Sequence, residues 1–234
     1  MHKKIGIVGG LSPESTVSYY LHITRSYVAR FGDHGYPEII IYSVNLEKYH
    51  QWRREDRWDR VAEDLVAAMQ RLQKAGADFG LIATNTMHKV FDAVQAAVDF
   101  PLIHIIDATA TTAKAQGLKK LGLLGTRYTM SDGFYHDRLA RSGLDALVPP
   151  PEDQDIVHRI IVEELIQGRL RDASRAEYRR IIGRLVDHGA QGIILGCTEI
   201  PLLVKQEDSP VPLLDTAVIH ADAALNFALR NSEG

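Results

Sequence analysis

The chain alternates short, continuous apolar runs with longer segments of helical period. The runs IGIV at 5–8, EIIIYSV at 38–44, GLIA at 80–83, LGLL at 121–124 and GIIL at 192–195 lack the strict apolar/polar alternation of a strand with one wet face. Continuous hydrophobicity of this kind predicts strands buried on both sides, as in a parallel sheet covered by helices. Between them, residues 59–75 carry Val61, Leu65, Met69 and Leu72 on one stripe, predicting a helix that ends at Gly76. Residues 155–166 and 175–188 repeat the helical period, the second closing at Gly189, and PPPED at 149–153 marks a break between elements. The expected class is α/β.

The same series of motifs occurs twice. KKIGIVGG from residue 3 is similar to KKLGLLGT from residue 119, each a charged lead, a short strand and a glycine turn. GADFGLIATNT from Gly76 is similar to GAQGIILGCTE from Gly189, which sets Thr84 and Cys197 at equivalent positions. PLIHIID, ending at Asp107, is similar to PVPLLD, ending at Asp215, each read as an apolar strand running into a helix start. Three matches in one order predict two similar, pseudo-symmetric halves, each a mainly parallel sheet flanked by helices. The first is expected to comprise 1–115 with a C-terminal helix around 216–230, and the second 116–215. Open parallel sheets bind ligands at the carboxyl ends of their strands. Facing halves would therefore form one active-site cleft, with Thr84 and Cys197 projecting into it from opposite sides.

Composition narrows the function classes. With 27 Lys+Arg against 30 Asp+Glu the formal net charge is −3, which gives no electrostatic reason to expect nucleic acid or an anionic membrane as partner. Hydrophobic residues at 45% and charged residues at 24% are those of an ordinary globular protein with material for a core or two. No apolar run approaches the ~18 residues of a membrane-spanning helix. The start MHKKIGIVGG reads as a strand rather than a signal peptide, so a cytoplasmic location is expected. The single cysteine, Cys197, has no partner for an internal disulfide or a Cys-based metal cluster, which leaves packing or reactivity.

Cys197 lies at the end of the GIIL run and is followed by Thr198, Glu199 and a predicted helix start. Backbone N–H groups there are expected to stabilise a thiolate, bringing a thiol of ordinary pKa ~8.5 toward neutral pH; a small buried hydrophobe is the alternative. Thr84, Asn85, Thr86 and His88 follow the strand of the other half, a set of groups that either binds a carboxylate or caps a helix. GGLSPES at 9–15 places Ser12 as an N-cap with Pro13 at the first helical position, where amide N–H groups can receive an anion. It is not GxGxxG and holds no Lys, which argues against dinucleotide and nucleoside triphosphate sites. Gly125-Thr126 is its counterpart. Arg53 and Arg54 sit in the polar segment HQWRREDRWDR, either as a solvated face or as ligands for an anion. Ten histidines occur without HExxH or a comparable spacing, and no metal is expected.

IGIVGGLSPESTVSYY, TNTMHKV, LLGTRYTM and GCTEIPLL together resemble the aspartate/glutamate racemase family over essentially the whole chain, and TNTMH most resembles its L-aspartate/glutamate-specific amino-acid racemases. The resemblance implies cofactor-independent α-proton exchange by two cysteines, one per half, on opposite faces of the substrate carbon. The second matches Cys197; the first, usually in Cys-Asn-Thr, matches Thr84, where this chain departs from the pattern. It further implies that Asn85, Thr86 and Thr198 cradle the α-carboxylate, that Leu11, Ser12 and Thr126 line the cleft, and that Glu199 accepts from the substrate ammonium. Arg53, with Arg54 as the alternative, would hold the side-chain carboxylate of a small acidic amino acid. A homodimer is also implied.

A hydroxyl is a weak base without a neighbour to take its proton. Asymmetric catalysis is therefore expected: Cys197 takes the α-proton from one enantiomer, L, and Thr84 or an ordered water protonates the other face. The competing expectations are a single-cysteine decarboxylase or isomerase of the same superfamily and a catalytically silent small-anion binding protein.

Overall fold

Ile5–Gly9 form β1, and every one of its residues is buried, as continuous hydrophobicity requires of a strand with helices on both faces. In the computed structural model, which describes residues 2–230, β1 pairs in parallel with β2 (Ile39–Ser43) and β3 (Phe79–Ile82). A two-residue β4 (Leu102–Ile103) extends the sheet beyond β3, giving the order β2-β1-β3-β4. The helices are α1 (Pro13–Phe31), α2 (Leu46–Arg54), α3 (Trp58–Lys74) and α4 (Phe91–Ala96).

The stripe predicted on α3 is buried as Val61, Leu65, Met69 and Leu72, joined by Ala68. It packs with Val8, Ile82 and Phe91; burying each large aliphatic side chain contributes about 1.5–3 kcal/mol. In a separate cluster, Ile5, Ile7, Phe79 and Leu81 meet Tyr19 and Ile23 of α1 and Ala221, Ala224 and Leu225 of the C-terminal helix, Thr216–Leu229.

The topology repeats in β5 (Lys120–Leu124), β6 (Asp145–Leu147), β7 (Gly192–Leu195) and β8 (Leu213–Asp215), ordered β6-β5-β7-β8 with every pairing parallel. Its helices are α5 (Ile105–Ala115), α6 (Arg127–Ser131), α7 (Phe134–Arg141), α8 (Pro151–Glu163), α9 (Asp172–Asp187) and α10 (Ile200–Leu203). Val157 and Ile160 of α8 and Tyr178, Ile181 and Ile182 of α9 pack with Leu124, Ile193 and Leu195. The buried Asp153 of α8 is held by Arg180 at 2.6 Å and Arg184 at 2.8 Å, both from α9. Two parallel four-stranded sheets flanked by helices, alike in strand order, thus account for the internal repeat.

Three readings of the sequence change. The chain divides at Ile105/Ile106 and Thr216/Ala217, so α5 from Ile106 onward belongs to the second unit rather than to a first half ending at 115. Its Asp107 carboxylate accepts two bonds from the Arg138 guanidinium of α7, at 2.7 and 2.6 Å. PLIHIID is a strand running into a helix, as read, but the change comes before Asp107: only Leu102–Ile103 pair, and α5 opens at Ile105. The prolines at 149–151 mark a beginning as well as a break, because Pro151 opens α8; its fixed φ and missing N–H suit the first helical turn. β6 escaped the reading because its three residues are partly exposed and form no apolar run. No helix among the described residues is long and apolar enough to cross a membrane.

Candidate active site

In the first unit the candidate residues gather at the carboxyl ends of the adjacent strands β1 and β3, which pair in register as Val8 with Ile82. After β1 the chain turns at Gly9-Gly10. Gly10 has φ +77°, and a Cβ there would overlap the Val44 carbonyl oxygen, so only glycine fits. Leu11 is buried in the core beside Val8 and Met87. Ser12 caps α1, its hydroxyl accepting from the Ser15 N–H at 3.3 Å, with Pro13 at the helix start as predicted. The Ser15 hydroxyl donates to the Ala83 carbonyl at 3.3 Å, tying the start of α1 to the loop after β3.

That loop holds Thr84, half-buried, and Asn85 and Thr86, both buried. The Thr84 N–H donates to the Ile82 carbonyl at 2.8 Å, and its own carbonyl accepts from the His88 ring at 2.7 Å. Beyond β2, Arg53 and Arg54 occupy the last turn of α2. Arg54 is exposed and paired with Glu47 at 2.8 Å. Arg53 is half-buried, and after burial its charge is the next cause holding the His50 imidazole below its usual range.

In the second unit the equivalent strands are β5 and β7. Thr126, beyond β5, is the N-cap of α6, with its hydroxyl 3.3 Å from that of Thr129. The Gly196 N–H donates to the Leu124 carbonyl at 2.7 Å, which places the turn after β7 beside the end of β5. Cys197 lies two positions past the end of β7, as Thr84 does past β3. Its Sγ donates to Glu199 Oε2 at 3.0 Å, and the Thr198 hydroxyl donates to the same oxygen at 2.9 Å. Glu199 is buried, Cys197 and Thr198 half-buried.

The expected easy ionisation of Cys197 is corrected by this arrangement. Burial pushes the thiol pKa well up, and the Glu199 carboxylate adds charge repulsion and a hydrogen bond to the protonated form. The backbone groups of Glu199 and Thr198 do favour the thiolate, as the sequence led one to expect, but they are outweighed; α10 is a single turn, Ile200–Leu203, with little dipole to offer. Cys197 is the only cysteine, so the ultraviolet absorbance of its thiolate can be titrated as the difference from Cys197→Ala, which cancels the absorbance of the nine tyrosines. The midpoint should lie above the ~8.5 of a free thiol and move down in Glu199→Gln, where the repelling charge is gone. A wild-type midpoint at or below the free value would contradict the geometry.

Of a group of buried rings behind Thr84, the sequence singles out only His88. His88, His104 and His220 lie together, with His88 4.7 Å from His104 and 5.7 Å from His220 between ring centroids. His220 comes from the C-terminal helix, and no spacing rule connects residues so far apart.

The two α/β units share one topology, and each carries a hydroxyl or thiol two positions past the end of its third strand, Thr84 after β3 and Cys197 after β7. The chain belongs to the Asp/Glu/Hydantoin racemase family, whose model matches residues 8–224. A Yersinia pestis protein provisionally described as an Asp/Glu racemase is 46% identical in its crystal structure, with TM-score 0.93 over 97% of this chain and 100% of that one. PH1733, an aspartate racemase homologue from Pyrococcus horikoshii OT3, is 40% identical with TM-score 0.87 over 97% of this chain and 99% of that one. The broad specificity amino-acid racemase RacX of Bacillus subtilis (strain 168) is 24% identical over 96% of this chain and 98% of its own length.

Proposed function

We propose that this racemase-family protein interconverts the enantiomers of an acidic amino acid, aspartate first, without a cofactor, using Cys197 on one face of the α-carbon and Thr84 or a water on the other. The observation that carries the reading is the Cys197–Glu199 pair, with Sγ and Oε2 3.0 Å apart. Without substrate the pair keeps the proton on sulfur. An α-ammonium group bound at Glu199 cancels the charge that opposes the thiolate, so the base becomes available when the substrate is in place. Cys197 then takes the α-proton. The electron pair left on carbon delocalises into the α-carboxylate, where donors from Asn85, Thr86 and Thr198 stabilise the added charge.

On the other face the step must run mainly as donation. An alcohol already carries the proton that a carbanion needs, whereas its conjugate base is scarce at neutral pH. Thr84 is therefore suited to returning a proton and poorly suited to removing one. Leu11, Ser12 and Thr126, at the strand-end turns, are assigned to the walls around the substrate.

Arg53 is assigned to the side-chain carboxylate, since Arg54 is engaged on the surface with Glu47. Arg53→Ala should raise KM for aspartate about 10–100-fold, the worth of a charge-assisted hydrogen bond of about 1.5–3 kcal/mol, with kcat changed far less. Arg54→Ala should leave KM within about two-fold, the scale of an exposed ion pair. An unchanged KM in both variants would remove the assignment.

The whole reading is tested by proton NMR in deuterated water, following α-hydrogen loss and enantiomer composition over a panel of L and D amino acids. Exchange on aspartate or glutamate supports it. Loss of carbon dioxide from a malonate without amino-acid exchange would support the decarboxylase, and binding without turnover the silent anion-binding protein.

A further inference from the structure

His88 lies four residues beyond Thr84 in the 3-10 turn Thr86–Val90 and is buried. Its Nδ1 stands 2.7 Å from the Thr84 carbonyl oxygen, and its Nε2 accepts from the Ile105 N–H at 3.2 Å. A carbonyl oxygen only accepts and an amide N–H only donates, so the ring is neutral with its proton on Nδ1. Burial first, then the neighbouring His104 and His220, oppose a second proton, while the Thr84 and Asn85 carbonyls favour it less strongly. The ring plane is held as well: Phe91 stacks on it at 5.4 Å with 9° between planes, and His104 packs at 4.7 Å.

The next histidine carries the opposite tautomer. His220 Nε2 donates to the Ile103 carbonyl at 2.8 Å, and its Nδ1 accepts from the Tyr19 hydroxyl at 2.9 Å. Burial keeps it neutral too, its pKa pushed down to about 4. The loop after β3 is thus tied through His88 to Ile105, and His220, packed edge-on against that ring, binds Ile103, two residues earlier, and Tyr19 of α1.

We propose that His88 is a positioning residue for Thr84: it clamps the Thr84 carbonyl to the Ile105 amide and so fixes the backbone that aims the Thr84 hydroxyl. The proposal rests on the racemase reading above and adds a residue that acts through Thr84. Both peptide groups of Thr84 are then held, the N–H by Ile82 and the carbonyl by His88, and backbone direction decides where a short side chain points. A misplacement of about 1 Å in a reacting group can cost 10²-fold in rate. A buried imidazole is suited to the task because one flat ring supplies a donor and an acceptor on opposite edges.

The test separates proton removal from proton return. 3-Chloro-L-aspartate loses chloride once its α-proton is taken: the C–H electron pair forms the carbon–carbon double bond as chloride leaves with the C–Cl pair. Chloride release therefore reads Cys197 alone, whereas racemisation of L-aspartate needs both faces. His88→Ala should release chloride within about three-fold of wild type but racemise L-aspartate at least ten-fold more slowly, with KM unchanged. His88→Asn, whose amide N–H can stand where Nδ1 does, should restore most of the racemisation.

Equal loss of both activities, or no loss of either, would overturn the proposal while leaving the racemase reading intact. Wild type that neither releases chloride nor exchanges α-hydrogen would overturn the racemase reading and the proposal with it. Should His88→Ala fail to fold, His88→Asn against His88→Gln makes the same comparison, Gln placing its amide at the Nε2 edge; equal racemisation by the two overturns the clamp. Nitrogen NMR of the wild-type ring at neutral pH adds a readout independent of turnover, expected to show the proton on Nδ1; a proton on Nε2 overturns the proposal.

Discussion

Thr84→Cys is expected to raise the rate at which D-aspartate loses its α-hydrogen by about 10²-fold or more, the lower end of what a well-placed general base contributes. The substitution puts a group of ordinary pKa ~8.5 where an alcohol stood, so a usable fraction of base appears on the face where the native chain has almost none. The backbone should not move, because the bonds that hold residue 84 run from its N–H and C=O to Ile82 and His88. The half-buried side chain also changes little in size. Enantiomers in water have equal free energy, so any gain in kcat/KM must appear in both directions of racemisation. The native asymmetry can show only in kcat and KM taken separately and in exchange without inversion. Proton NMR in deuterated water reads the rate directly. A D-aspartate exchange rate no higher than wild type would mean that residue 84 is not where the second base is missing.

Cys197→Ala is expected to lower α-hydrogen exchange on L-aspartate by about 10²–10⁴-fold with binding of acidic amino acids retained. In the structure the thiol touches Glu199 and packs at the margin of the second unit's core, so its removal opens only a small space. The Glu199 carboxylate keeps the Thr198 hydroxyl as a donor. Combining this change with Thr84→Cys should give a protein that exchanges the α-hydrogen of D-aspartate yet racemises poorly, since one face again lacks a partner. If Cys197→Ala turns over L-aspartate at the wild-type rate, the cysteine is a packing residue and the proposed chemistry fails.

Much of this was legible in the sequence. Strands buried on both faces announce themselves as continuous apolar runs, and the α3 stripe at Val61, Leu65, Met69 and Leu72 is buried as its spacing predicts. The glycine turns and the Ser12 cap are local features with local causes. The duplicated motifs placed Thr84 and Cys197 at matching strand ends before any coordinates, because homologous halves preserve the order of their elements.

What was misread depended on partners distant in the chain. Ile105 and Ile106 read as the end of a strand, whereas the fold makes them the first residues of α5, just ahead of Asp107 and its bond to Arg138. For Cys197 the sequence left a reactive thiol and a packing residue both open, because the helix start was visible in it whereas the desolvation of the sulfur and the distance to Glu199 were not. His88 was singled out in the sequence as a carboxylate or capping group, but its link to His220 became visible only when the fold set their rings 5.7 Å apart.

From the sequence by itself came the α/β class, the repeat, the strand-end location of the candidate groups and the family they resemble, all consequences of periodicity and order along one dimension. Tertiary structure alone decided which peptide groups each imidazole bonds, where the chain passes from one unit to the other, and whether the cysteine holds its proton. Those outcomes depend on desolvation and on angstrom-scale distances between residues that the chain brings together only by folding.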